Sequence, residues 1–548
     1  MEASGSEAST GSRRREAGGP SGPGLDGPKA KKRPANAKAK KPKRARVSRP
    51  AYTVHQGEDM LLVVHNAASQ YEGSAWTPKK KKKGKVKANQ VKKKTTGVKR
   101  KVENKAVKEE EVDTKPPARR READPRWGEH LPEELLVSIF QMVVLQDGAV
   151  PFLCRVGSVC RLWNAAASSP ALWRSVTVGF CWIGPGKTQL PKTEQKIRDT
   201  VTWLAENRFS QLRDFSLCHW SKNVDFAIEV VSRCCPQLGS IKLSYCSGLT
   251  AKSFLALGQH SRCLHSINVQ YSEFQVNCLL DYLMHHGHQI RQILFTHGPK
   301  NDRLLAAIAK GLCPDLEMLE VNTKLDSKQC ELPVYIQALQ KACPKLKSFR
   351  MLNVTPLHKT MRHGADSASG FPLLEELCLA TTSFSYMTDK DLKDALFGSP
   401  KLRVLDLRGC WRVTPAGLAA LPCLELECLF LGQYFNIYSG LWTLKTGLHL
   451  VTQKWCQTLQ QLDLANQLFT EEDMELALSH LSQAAKADTL RSLNLSGTRV
   501  TPRALRAVVG RMTALDYLNL SSCRNLPRGA KKIYRGQEEI RQLLDVLD

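Results

Sequence analysis

No cysteine occurs before Cys154, although 18 are spread from there to Cys523 in a chain of 548 residues. No Cys-x-x-Cys pair is found among them, so the spacing that a zinc ribbon or RING-type site needs is missing. No stretch approaches the roughly 18 to 20 uncharged apolar residues of a membrane span. The opening MEASGSEASTGSRRREAGG also lacks the apolar core of a secretory leader. These absences predict a soluble intracellular chain whose thiols stay reduced, with no membrane association. Acidic residues are scarce, 52 against 80 Lys and Arg, leaving a net charge of +28. That charge is uneven. Residues 1–125 hold 33 basic and 14 acidic side chains, a net of +19, while the other 423 residues contribute only +9.

Residues 1–125 are rich in Gly, Pro, Ser, Ala and Lys and have too little apolar surface to offset the entropy of ordering, so a disordered basic tail is expected. The run Lys79, Lys80, Lys81, Lys82, Lys83 and the run Lys99, Arg100, Lys101 fit nuclear-localisation signals read by an import receptor, which predicts a nuclear and cytoplasmic protein. The same charges could hold nucleic-acid phosphates by counterion release, or serve only as a solvated tail. A less charged interruption at 51–76, with Met60 to Val64, Tyr71 and Trp76, reads as a linker piece or a short docking motif.

The composition changes at Trp127. Leu135, Leu136, Ile139, Phe140, Val143 and Val144 recur at helical spacing, with Pro132 suited to the first turn. A second stripe carries Leu153, Val156, Val159, Cys160 and Trp163, and Leu172 and Trp173 close the segment. About fifty residues with so many large apolar groups bury too little surface to stand alone comfortably, so a partner surface is expected.

After Arg208 the pattern Leu-x-x-Leu-x-Leu, with other apolar residues allowed, starts at Leu212, Leu238, Leu264, Ile290, Leu316, Leu346, Leu374, Leu402, Leu426, Leu459, Leu490 and Leu515. The first four intervals are all 26 residues, inside the leucine-rich-repeat range. In LRVLDLRGCWRVTPAGLAALP, Leu405 and Leu407 point to one face of a short strand while Asp406 and Arg408 point to the other. Thr414-Pro415 and Thr501-Pro502 then read as helix N-caps, and Thr388 to Asp391 and Thr470 to Asp473 as capping boxes. The fold class is therefore α/β: strand, turn and helix repeated and stacked into a leucine-rich-repeat solenoid, with strands lining a concave wall. Ile540, Leu543, Leu544 and Leu547 share one face of a helical cap at 536–548.

No catalytic or cofactor site can be assembled from spacing. GPGKT at 184–188 resembles a phosphate loop, but Cys181 stands where that loop needs Gly, so the segment reads as a connection. The histidines are scattered. The cysteines keep the phase of the repeat: Cys235, Cys313, Cys343 and Cys456 fall three residues before a start, and Cys246, Cys410 and Cys523 eight after one. Packing explains that better than metal binding or catalysis. The outward positions Asp406, Arg408, Asp463, Asn494 and Asn519 are candidates for contacting a protein ligand, joined by Tyr434 and Trp442 from the longest interval, where the aromatics either anchor a ligand or pack the insertion.

Residues 130–175 resemble an F-box: Leu131-Pro132, Leu135-Leu136, Ile139-Phe140, Val159-Cys160-Arg161-x-Trp163 and Leu172-Trp173-Arg174 follow its pattern. With the repeats, the chain resembles the F-box and leucine-rich repeat family over 127–548. The resemblance implies an F-box at 127–178, a linker at 179–207, repeats at 208–535 and the cap at 536–548. It further implies a three-helix module docking on the S-phase-kinase-associated adaptor of SCF-type cullin-RING ubiquitin ligases, with the repeats holding a protein substrate for ubiquitination and proteasomal degradation. No catalytic residue is then required. Leu131, Pro132, Leu135, Ile139, Phe140, Val159, Trp163 and Trp173 become adaptor-facing or module-core residues, a division the sequence leaves open. The connection between Phe140 and Val159 is longer than the usual pattern. The alternative is a repeat scaffold with a nucleic-acid-binding tail.

Overall fold

The structure is a computed structural model. It describes residues 131–179, 191–323, 331–358, 370–381, 385, 387–434, 444–485, 488–527, 529 and 532–547, together with the backbone of 52–56 and 62–66. The runs at 79–83 and 99–101, GPGKT and Trp442 lie outside the described residues. Within the stretch read as the basic tail, Tyr52–Gln56 pairs antiparallel with Leu62–Asn66.

Helices α1 (Glu133–Asp147), α2 (Phe152–Val156) and α3 (Arg161–Ala167) follow in the segment that resembles an F-box. Leu136, Phe140, Leu153, Ala166 and Ala167 form their interior. Phe140 meets the edges of Phe152 and Trp163 with ring centroids 5.6 and 5.4 Å apart, a favoured aromatic geometry. Pro132 is the N-cap of α1 and not part of its first turn.

Among the described residues that follow, a 14-stranded sheet organises the fold, its members in chain order from Ser175–Val178 to Ile533–Arg535. Twelve of its strands stand at the starts read from sequence, and all three apolar positions of every start are buried. Each such side chain contributes roughly 1.5 to 3 kcal/mol once its neighbours cover it, which no repeat can arrange alone. Neighbouring strands pair in parallel, as connection through a crossover helix requires. The last pairing is antiparallel: Ile533–Arg535 returns along Tyr517–Asn519 and covers that edge. A separate parallel pair, Glu331–Val334 with Thr355–His358, lies outside the main sheet.

Turn geometry follows the same phase. The residue seven places after the start is left-handed in eight repeats: His219, Tyr245, Tyr271, Asn353, Gly409, Asn466, Gly497 and Ser522. Gly409 and Gly497 enter that region without strain, whereas His219 and the two tyrosines do not. The next residue explains the second cysteine register. Cys246, Cys410 and Cys523 each direct the thiol to the carbonyl of the third apolar position one repeat back, Leu217, Leu379 and Leu495, at 3.4, 3.7 and 3.0 Å. Of the cysteines in the other register, Cys235, Cys313 and Cys343 are buried.

Three boundaries differ from expectation. The connection at 179–207 contains helix α4 (Pro191–Asn207), whose Ile197, Val201, Leu204 and Ala205 are buried, because its apolar stripe packs as an additional repeat helix. Ser175–Val178, within the segment read as the F-box, already pairs with the first strand of the repeats. Trp173, Val176 and Val178 occupy the three apolar positions of a further unit, and the pattern is obscured by Trp at its first position. The single C-terminal helix is two, Gln537–Arg541 and Leu544–Leu547, with Ile540, Leu543 and Leu547 buried. Thr388 and Asp391 form a complete capping box. Thr470 accepts from the Asp473 amide, but the Asp473 carboxylate turns to the amides of Leu448 and His449 in the preceding repeat helix. Among the described residues no helix is long and apolar enough to cross a membrane.

Candidate functional site

Two surfaces stand out. The first is the outer face of α1, a helix apolar on two sides. Leu136 and Phe140 point inward, while Leu135 (51% exposed), Ile139, Met142 and Leu145 (80% exposed) run along the other side, and Val159 is exposed beyond α2. This separates the residues that the sequence left undivided. Leu135, Ile139, Val159 and Pro132 are exposed; Leu131 and Trp163 are half-buried against the core. Phe140 and Trp173 are interior and are removed from any docking face. Trp173 donates from its indole to the Ala167 carbonyl at 2.8 Å and packs against Phe209 at 5.9 Å, so it joins the helical segment to the repeats. Met142 and Leu145 were not singled out from sequence; their signal is the second apolar stripe, three and six residues beyond Ile139.

The second surface is the outward face of the sheet. Asp406 and Arg408 were expected at solvent-facing positions and are buried instead, Asp406 completely. Arg408 Nε donates to Asp406 Oδ1 at 2.9 Å, and its guanidinium lies 5.4 Å from the centre of the Phe430 ring. Burial opposes the charge on Arg408, but Asp406 more than offsets this. Asp463 is buried too and accepts from the Tyr434 hydroxyl at 2.6 Å, which in turn accepts from Asn494 Nδ2 at 2.9 Å. Burial pushes the Asp463 carboxyl up; burial and the adjacent Asp463 push the Tyr434 phenol well up. Tyr434 therefore packs against the wall. Asn519 is half-buried and caps its own turn, accepting from the Ser521 amide at 3.0 Å.

Further along the same face, Arg350 lies between two carboxylates. It donates to Glu376 through Nε and Nη2, both at 2.8 Å, and to Glu320 through Nη1 at 3.2 Å, while Gln270 Nε2 donates to Glu320 at 2.6 Å. All four are nearly inaccessible. Sequence reasoning missed this group because charged residues at outward strand positions read as solvated.

Among the described residues no group of three or more His, Cys, Asp or Glu is placed to hold a metal ion. Burial pushes the thiols of Cys235, Cys313 and Cys343 up to about 12, far from the thiolate that a nucleophile or metal ligand needs. A cavity of about 260 Å³ between Leu305, Leu332, Val334 and Leu339 is mainly apolar; its charged members Asp302 and Arg303 are bonded to His297 and Asn277.

Comparison with known proteins matches residues 129–178 to the F-box-like family and residues 398–421 to a leucine-rich-repeat family, described as Leucine Rich repeat. No curated protein matches the chain. Among solved structures, the crystal structure of the Rad7 and Elc1 complex in yeast is similar at 15% identity and a TM-score of 0.39, covering 75% of this chain and 85% of that one. The chain thus carries one segment similar to an F-box-like domain and, further along, one similar to a leucine-rich repeat.

Proposed function

We propose that the protein is a non-catalytic substrate-recognition subunit of an SCF-type cullin-RING ubiquitin ligase, with the three-helix F-box docking on the S-phase-kinase-associated adaptor and a horseshoe-shaped repeat solenoid holding the substrate. The observation that carries this reading is the stripe Leu135, Ile139, Met142 and Leu145, exposed on one side of a helix whose other side forms the core. An uncovered row of large apolar side chains is the signature of a partner interface. Leu131, Pro132 and Val159 extend the docking set. A receptor of this kind raises the effective concentration of a substrate lysine beside a ubiquitin-loaded enzyme, so positioning supplies the acceleration.

Co-purification of the adaptor with the wild-type chain, and its loss in Leu135→Ala/Ile139→Ala, is the direct test. Retained binding in the folded double variant would refute the assignment. Proteasomal turnover of the substrate and residence in both nucleus and cytoplasm belong to the same proposal. The run Lys79 to Lys83 would supply the nuclear address, which Lys-to-Glu exchange across that run should abolish in a localisation assay. The +19 of residues 1–125 favours one second reading, a nucleic-acid-binding tail. Absence of nucleic-acid binding at low salt would remove it.

A further inference from the structure

One row of outward side chains crosses the sheet in register, and its exposure changes along the way. Thr177 and Lys242 near the N-terminal end are exposed, and Asn494 and Asn519 near the other end are half-buried. Between them Glu320, Arg350, Cys378, Asp406, Phe430 and Asp463, on successive members of the sheet, are all buried. The middle of the wall is therefore interior. Ion pairs seal Glu320, Arg350 and Asp406. At Asp463 the seal is a phenol.

Tyr434 stands eight residues after the start at Leu426, in the register that Cys246, Cys410 and Cys523 use to reach the preceding repeat. Its side chain lies over the outward face instead. The hydroxyl donates to Asp463 Oδ2 at 2.6 Å and accepts from Asn494 Nδ2 at 2.9 Å, so it bridges the next two repeats. The side chain also packs against the buried group Leu352, Cys378 and Ala380 of earlier repeats. Gly432 leaves room for the ring: a Cβ there would stand 2.6 Å from Tyr434 Cε2 and 2.8 Å from Asp463 Oδ2, closer than a side chain can approach. An apolar floor, one acceptor and one donor together match a phenol. A site built to hydrogen-bond a hydroxyl discriminates against an analogue without one, because the buried acceptor and donor are left unpaired.

We infer that Tyr434 is an intramolecular stopper: its phenol fills a socket on the outward face and closes the middle of the wall to partners. Ligands reach Cys378 and Asp463 only when that side chain withdraws, and the vacated socket takes a phenol, the chemistry of a tyrosine side chain. The contact is autoinhibitory for binding at the central strands. It stands apart from the substrate-receptor reading, since neither adaptor nor substrate enters its test.

The test reads thiol reactivity in the full chain. Methyl methanethiosulfonate, with each cysteine followed by peptide mass, should leave Cys378 unmodified in the wild type and modify it in Tyr434→Ala. Cys313 and Cys343, buried in the repeat interior, should stay unmodified in both and so report that the variant is folded. Phenol added to Tyr434→Ala should restore the protection of Cys378, and benzene at the same concentration should not. Modification of Cys378 in the wild type, its continued protection in Tyr434→Ala, or equal rescue by benzene and phenol would overturn the inference. Loss of protection at Cys313 and Cys343 together with Cys378 in Tyr434→Ala would overturn it too, because the residue would then hold the whole array together and not close one face of it.

Discussion

Arg350 and Glu376, on adjacent strands 26 residues apart, form a two-pronged ion pair with both bonds at 2.8 Å, sealed from solvent. The pair ties neighbouring repeats together on the face where the sequence pattern would place solvated residues. Removing one partner of such a pair leaves the other charge buried. Arg350→Leu is expected to destabilise the protein by about 3 to 5 kcal/mol, read as a lower urea midpoint.

The two sides of α1 should respond differently to truncation. Phe140→Ala empties a packed site between Phe152 and Trp163 and should cost about 3 to 5 kcal/mol of stability. Leu135→Ala and Ile139→Ala remove exposed groups and should leave the melting temperature nearly unchanged while weakening adaptor capture. Equal thermal effects on both sides would contradict the division between core and docking residues.

Trp173 links the helical segment to the first strand. Trp173→Ala loses its bond to Ala167 and its packing on Phe209, and should cost about 3 to 5 kcal/mol. Because the side chain touches both segments, protease protection should fall on both sides of the junction. Protection lost on one side only would show that Trp173 does not couple them.

The buried thiols make stability depend on alkaline pH. Cys235, Cys313, Cys343 and Cys410 are pushed up from 9.0 to about 12 by burial. Between those values the unfolded chain has released protons that the folded chain retains. The contribution is thus fully present below pH 9 and is lost as pH rises toward 12, at up to about 1.4 kcal/mol per pH unit for each thiol. Chemical unfolding at pH 8 and pH 10 should show the fall, and Cys313→Ala should reduce its slope. Iodoacetamide at pH 8 should label exposed Cys263 well before any of the four.

How much was legible from sequence depended on whether the information was periodic. The Leu-x-x-Leu-x-Leu starts fixed the strands, because a side chain that must be buried by a neighbouring repeat has to recur in phase with it. The caps at Thr414 and Thr501 and the seven cysteines that stand three residues before or eight after a start followed for the same reason. The further unit at Trp173, Val176 and Val178 was hidden because its first position is Trp and it stands 39 residues before Leu212.

The sequence by itself determined the repeating strand and helix, the apolar interior and the separate basic segment, since composition and period are local properties. Only the tertiary structure decided which apolar residues of α1 stay uncovered, that Phe140 and Trp173 are interior, and that Asp406, Arg408 and Asp463 lie within the wall. Those outcomes depend on what packs against each side chain across strands tens of residues apart, and the alternation of a single strand carries no record of it.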